Sequence, residues 1–188
     1  MTVPDELDRR LREAAAEAGL VDVAYDVAET PIGPLLLART EAGLCRVHFG
    51  EDEEALDGLA RAFGTRVLRA PRRLDEARRQ LEGYFTGARR DFELELDLRV
   101  TPFHRAVLAE LVRVPYGSTT TYAALAARVG RPAASRAVGR AMHTNPIAIV
   151  LPCHRVLGAS GSLTGYAGGL DVKRRLLELE GALGQLEL

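Results

Sequence analysis

The sequence predicts an α+β protein: an amino-terminal antiparallel sheet with helices, followed by a mostly helical, winged helix-turn-helix domain. Three observations carry this expectation. Apolar residues alternate at period two around residues 21–27, and two apolar runs flank a short glycine-containing connection at residues 41–43. From Thr101 onward the apolar spacing becomes helical, with Phe103, Ala106, Val107 and Leu111 on one face. No segment repeats, so solenoid and propeller architectures are excluded.

In order along the chain, residues 5–18 predict a helix of mixed charge, and Val21, Val23, Tyr25 and Val27 predict a half-buried strand with its small and acidic residues facing out. A turn at residues 31–34 leads to strands at 35–40 and 44–49, a hairpin that completes an antiparallel meander. Helices near 52–63 and 72–85 bracket a short strand near 66–68, and the alternation of residues 92–96 predicts one more strand. The domain boundary is expected between residues 100 and 101, dividing the chain into 1–100 and 101–188. There Thr101 suits an N-cap and Pro102 the first helical position. Pro115-Tyr116-Gly117 ends this helix, and Thr119 to Thr121 cap the next, which runs to Val129. A turn at Gly130-Arg131-Pro132 precedes a helix over 133–144, giving the helix-turn-helix pattern. Residues 158–169 predict a hairpin or loop, and 171–180 a final amphipathic helix.

With 188 residues, 47% hydrophobic and 27% charged, the chain can bury a core of its own and is no disordered or collagen-like sequence. It contains no run of about 18 uncharged apolar residues, and its amino terminus is charged rather than signal-like. A cytoplasmic, soluble protein without membrane contact is therefore expected. Cys45 and Cys153 are too few for a disulfide framework and are expected as thiols. The net charge of −1 conceals an asymmetry: residues 1–100 hold 15 Lys and Arg against 21 Asp and Glu, and residues 101–188 hold 10 against 5. The basic half has the charge a polyanion partner needs, which a solvated arginine-rich surface would share.

Two segments carry candidate chemistry. The helix containing Ser135, Arg136, Ala137, Val138, Gly139, Arg140 and Met142 places small side chains around isolated arginines, so its backbone can come close to a partner. Such a thin helix suits a narrow or shallow groove into which Arg136 reaches; the competing reading is a surface arginine bonded to a carbonyl or carboxylate. The apolar run Ile147 to Leu151 delivers Cys153 and His154 directly after Pro152. A thiol becomes nucleophilic only with a nearby base or positive field, which His154 and Arg155 could supply. In extended chain the two neighbours face opposite ways, implying a relay through water, and an inert buried thiol beside a core histidine remains the alternative.

Pro152-Cys153-His154-Arg155-Val156 after Asn145-Pro146, with Arg136-Ala137-Val138-Gly139, closely resembles the O6-alkylguanine-DNA alkyltransferase family, the methylated-DNA-protein-cysteine methyltransferases. The resemblance continues through Tyr116-Gly117, Tyr122, Gly165-Tyr166 and Leu179-Glu180-Gly181, and is a looser strand-pattern match over residues 21–98. It implies direct-reversal repair: Cys153 takes the alkyl group from O6-alkylguanine in double-stranded DNA, with O4-alkylthymine a second candidate substrate. The thioether has no easily hydrolysed bond, so each protein acts once. The resemblance further implies that His154 polarises Cys153 through water, Glu180 orients His154, and Tyr122 donates to a ring nitrogen of the departing base, while Asn145 braces the turn. Ser135, Arg136, Ala137 and Gly139 would meet DNA, with Arg136 filling the space left by an everted nucleotide.

By the same resemblance Met142, Thr164, Gly165, Tyr166 and Ala167 would form the substrate pocket. Thr164 stands where some relatives carry glycine, which favours small alkyl groups. By itself Glu180 reads as a solvated helix-end carboxylate, and Lys173 as a solvated cation left out of the site. Some relatives hold zinc in the amino-terminal domain, but here only Cys45 and His48 offer ligands, so no metal and no cofactor are expected. A monomer is expected. The alternative is a non-enzymatic alkylated-base binding protein of the alkyltransferase-like type, against which the retained Cys153 argues. A Cys-His hydrolase is a third reading, without an evident oxyanion device.

Overall fold

The leucine-rich segment 35–38 is buried on both faces, and its strand lies inside the sheet with both edges paired. The computed structural model describes residues 5–50 and 53–183. The chain divides into two compact units, split between Arg99 and Val100. The first unit holds α1 (Asp5–Glu17), β1 (Val23–Ala28), β2 (Leu35–Thr40), β3 (Gly43–Phe49), α2 (Glu53–Phe63), β4 (Val67–Arg69) and α3 (Asp75–Phe85). Its sheet runs β3-β2-β1-β4, antiparallel except where β1 pairs with β4 in parallel. The expected start of α2 at Asp52 lies outside the described residues. A 3-10 turn, Pro71–Leu74, precedes α3, so the helix begins at Asp75 rather than Arg72.

Two sequence expectations change in this unit. Asp26 does not face solvent: it is 2% exposed and bonds the guanidiniums of Arg69, at 2.7 Å, and Arg78. β1 is paired on both sides, and its acidic side chain is buried because two arginines neutralise it. Residues 92–96 form no ladder, only a bridge from Leu96 to Leu44. Gln80 takes the place of a neighbouring strand, its Oε1 accepting from the Glu93 amide at 2.8 Å and its Nε2 donating to the Glu93 carbonyl at 2.9 Å. Gly43 admits this segment: a Cβ there would lie 2.4 Å from the Glu95 carbonyl oxygen.

The second unit holds α4 (Pro102–Val112), β5 (Thr120–Thr121), α5 (Tyr122–Arg128), α6 (Ser135–His143), β6 (Val156–Leu157) and α7 (Leu170–Leu179). Thr101 and Thr121 cap α4 and α5, accepting from the amides of His104 at 3.3 Å and Ala124 at 3.1 Å. A 3-10 turn, Pro132–Ala134, leads into α6, which therefore starts at Ser135. Val107, Leu108, Leu111, Leu125, Val138, Ile147, Val156, Leu176 and Leu177 form buried positions of this unit. β5 and β6 pair in parallel, Thr120 with Val156 and Thr121 with Leu157, which brings the start of α5 beside the chain that follows Cys153. Residues 158–169 are a loop. No helix among the described residues is long and apolar enough to cross a membrane.

Candidate active site

Asn145 organises the turn ahead of the cysteine. Its Nδ2 donates to the Leu151 carbonyl at 2.8 Å, and its Oδ1 accepts from the Ile147 amide at 3.1 Å, so one side chain closes the loop. Within it Ile149 has φ 71°, a left-handed conformation that costs a β-branched residue roughly 1–3 kcal/mol. The run ends at Pro152, and Cys153–Arg155 form a 3-10 turn. The pair is therefore not extended, a correction to the sequence expectation, and its two side chains engage different partners.

Cys153, 6% exposed, accepts a hydrogen bond from Asn145 Nδ2 at Sγ, 3.1 Å away. Cys45 is the opposite case, with its thiol donating to the Ala38 carbonyl at 3.4 Å. Burial pushes the Cys45 thiol up to about 12. Burial also raises Cys153, but the Asn145 bond and the Lys173 charge oppose the rise. Cys153 thus rests as a thiol, with Asn145 and Lys173 offsetting part of the cost that burial sets on its anion, whereas among the described residues Cys45 has no such hydrogen-bond donor at its sulfur.

His154 is fully buried, and its Nε2 lies 2.8 Å from Glu180 Oε1. Burial by itself would raise the Glu180 carboxyl, but hydrogen bonds and charge from His154 and Arg155 bring it down to about 2. An ionised carboxylate only accepts, so Nε2 carries the proton and Nδ1 keeps its lone pair. That Nδ1 has no hydrogen-bond partner among the described residues. Burial lowers the His154 pKa, against the bond and charge of Glu180, so the ring is a neutral base at physiological pH.

Glu180 is not the solvated carboxylate suggested by its place at a helix end. It is 5% exposed and also receives Arg155 through Nε at 2.8 Å and Nη2 at 2.9 Å, a bidentate pair. Arg155 Nη1 donates to the Val114 carbonyl at 2.6 Å. The end of α7 fixes this carboxylate: Gly181, at φ 70°, donates to the Glu178 carbonyl, and Ala182 to that of Leu177, so the helix closes on Glu180.

Lys173 is a further correction, for it is fully buried rather than solvated. Its Nζ donates to the Val156 carbonyl at 2.5 Å and the Thr164 carbonyl at 3.2 Å, tying the 158–169 loop to the strand after the cysteine turn. Burial brings its pKa down to about 8, opposed by the Cys153 charge. Tyr122 and Thr164 share a hydroxyl contact at 2.9 Å. A Cβ at Gly139 would lie 3.9 Å from the Tyr122 ring, so α6 passes close to the start of α5. Met142 is buried, Tyr166 is half-buried, and Gly165 and Ala167 are exposed on the loop.

On α6, Arg136 and Ala137 are exposed, and Ser135 and Gly139 are half-buried. Among the described residues no carboxylate pairs with Arg136. The structure thus brings Cys153 to Asn145, His154 to Glu180 and Tyr122 to Thr164. It joins Arg155 and Lys173 to them, of which sequence reasoning offered Arg155 only as a source of charge and set Lys173 aside. No group of three or more potential metal ligands occurs among the described residues.

Comparison with known proteins matches residues 102–182 to the family described as 6-O-methylguanine DNA methyltransferase, DNA binding domain. Residues 23–98 match the ribonuclease-like domain of the same description. The methylated-DNA–protein-cysteine methyltransferase of Methanosarcina barkeri is 46% identical over 156 residues, 83% of this chain and 96% of its own. That of Mycobacterium tuberculosis is 44% identical over 158 residues, 84% of this chain and 92% of its own. The crystal structure of Mycobacterium tuberculosis OGT in complex with DNA superimposes with a TM-score of 0.76 at 43% identity, covering 85% of this chain and 93% of that one.

Proposed function

The chain belongs to the 6-O-methylguanine DNA methyltransferase family, and from that premise we propose which of its atoms perform the repair. It is a direct-reversal DNA-repair enzyme, a methylated-DNA–protein-cysteine methyltransferase. Cys153 is the alkyl acceptor. One observation carries this assignment: its sulfur accepts from Asn145, and the next residue in the chain is a histidine whose proton is held on Nε2 by Glu180.

The displacement then balances. The Cys153 thiol proton passes through a bridging water to His154 Nδ1, and Sγ attacks the alkyl carbon as the carbon–O6 bond breaks. The electron pair stays on the guanine, which takes up one proton from water at a ring nitrogen as Tyr122 donates a hydrogen bond to the departing base, and His154 returns its proton to water, so that one proton is lost from sulfur and one gained by guanine. The products are intact guanine in DNA and an S-alkylcysteine. Since O6 lies within the stacked duplex, the nucleotide must leave the stack; the small residues Ser135, Ala137 and Gly139 let α6 approach the minor groove, and Arg136 occupies the vacated space. Met142, Thr164, Gly165, Tyr166 and Ala167 border the everted base, and the Thr164 side chain favours small adducts.

Residues 101–188 carry DNA binding and alkyl acceptance, and residues 1–100 support them. The protein acts as a monomer on duplex DNA containing O6-alkylguanine, in the compartment that holds the DNA. Intact-mass measurement after incubation with an O6-methylguanine duplex tests the reading. Wild type and Cys45→Ala gain one methyl each, and Cys153→Ala gains none. Methyl uptake by Cys153→Ala, or no uptake by wild type, overturns it.

A further inference from the structure

On the flank of α6 a cleft of about 520 Å³ opens toward the first turn of α4, lined by Thr101, Phe103, His104, Arg136, Arg140 and Thr144 among others. No carboxylate lines it, and among the described residues none pairs with Arg140, which is exposed. The chain around it is one-signed: residues 111–170 contain no Asp or Glu. Arg131 lies over the Phe103 ring at 5.5 Å, adding a further cation beside the same turn.

His104 is the unusual member. The Ala141 backbone carbonyl receives a hydrogen bond from its ring, and its Nε2 is buried without a partner. The bond must therefore run through Nδ1, which holds the proton there and leaves Nε2 as a bare lone pair. Burial lowers the ring's pKa, opposed by the Ala141 bond, so in the free protein it is neutral at pH 7. A neutral Nε2 in this tautomer repels a phosphate oxygen, and a protonated one donates to it.

We propose that this cleft seats a backbone phosphate of DNA gripped by Arg140, and that its entry uncovers the buried Nε2 of His104, which takes up one proton from solvent and donates to the phosphate. The inference rests on α6 being the DNA-facing helix. It adds a contact separate from Cys153 and couples DNA binding to pH. Charge and tautomer together distinguish the seat from a merely basic surface: arginines alone bind phosphate without taking up protons.

The test is fluorescence anisotropy with an unmodified duplex, at several salt concentrations between pH 6 and pH 8, alongside methyl uptake by intact mass. Arg140→Ala is expected to weaken binding about three- to tenfold and to flatten the log–log salt slope by about one. Wild-type affinity rises as pH falls, by at most about tenfold per pH unit for one coupled proton. His104→Asn, which keeps a donor for the Ala141 carbonyl, loses that extra rise. His143 is common to both proteins, so the difference between them isolates His104.

Identical pH profiles for wild type and His104→Asn, or an unchanged affinity and salt slope in Arg140→Ala, overturn the seat while methyl uptake stands. Failure of wild type to take up methyl overturns the repair assignment instead, and lesion-free binding still judges the seat.

Discussion

Cys45 and Cys153 show what a side chain's neighbours do to one chemical group. Both are buried, but Cys45 donates to a carbonyl and Cys153 accepts from an amide. Only the second arrangement stabilises negative sulfur as a proton leaves. Behind it stands Glu180, whose replacement by Gln leaves Arg155 without its counterion. Loss of one partner from a buried pair predicts a destabilisation of about 3 kcal/mol or more, measured by urea unfolding. Gln still offers His154 one acceptor but no charge to stabilise the imidazolium that forms, so methyl uptake slows by about a hundredfold, measured by quenched-flow mass analysis. The pH dependence has a definite sign. Because the folded Glu180 carboxyl is brought down to about 2, its stabilisation is complete above the unfolded value near pH 4.3 and is lost as pH falls toward 2. Wild type loses stability across that window, and Glu180→Gln lacks this share of the loss. Cys153 and His154 stand out in the sequence after a proline and an apolar run, which by themselves leave an inert thiol beside a core histidine open; the family resemblance supplies the role proposed for them. Lys173 does not stand out, since Asp171-Val172-Lys173-Arg174-Arg175 has the pattern of a solvated helix face, and only tertiary packing buries its third residue.

At the scale of elements, short pairings place the candidate site. Parallel β5 and β6 are two residues each, too short to stand out from sequence, yet they bring Tyr122 near the cysteine turn across more than thirty residues of chain. The helices of the second unit were legible because their caps and periodicity agree, as Thr101 and Thr121 illustrate. The strand expected at residues 92–96 failed because a side chain, Gln80, supplies the bonds a strand would make, and periodicity carries no trace of such a substitute. Two predictions belong here. Lys173→Met removes the donor shared by the Val156 and Thr164 carbonyls and frees the 158–169 loop; amide exchange in that loop should rise and methyl uptake should fall about tenfold or more, with lesion-free DNA binding unchanged. Arg136→Ala removes the side chain proposed to stand in for the everted nucleotide. Repair in duplex DNA should fall far more than reaction with a free O6-alkylated guanine base, compared by methyl uptake from the two substrates; equal losses reject the role.

For the whole molecule the decisive quantity is how charge divides along the chain. A net charge of −1 predicts nothing about DNA, but residues 1–100 carry a net −6 and residues 101–188 a net +5. Structure sharpens the count in the second unit. Glu180 and Arg155 neutralise one another in the interior, Lys173 is buried, and Arg113 pairs with Glu110 at 2.5 Å. The arginines left for an external polyanion therefore include Arg128, Arg131, Arg136 and Arg140, within a stretch that has no acidic residue. With Arg136 assigned to the vacated stack, phosphate contacts from Arg128, Arg131 and Arg140 would give a log–log salt slope of about −3, since each neutralised phosphate releases about 0.9 counterion. Titration of the full chain with unmodified duplexes should return a slope of roughly that size, reduced by about one for each of these arginines changed to Ala. Contacts to phosphates carry no base information, so affinity for duplexes of unrelated sequence should agree within a few-fold. A strong preference for one flanking sequence, or a slope near zero, would mean that these arginines do not meet the DNA backbone, whatever the fate of the methyl group.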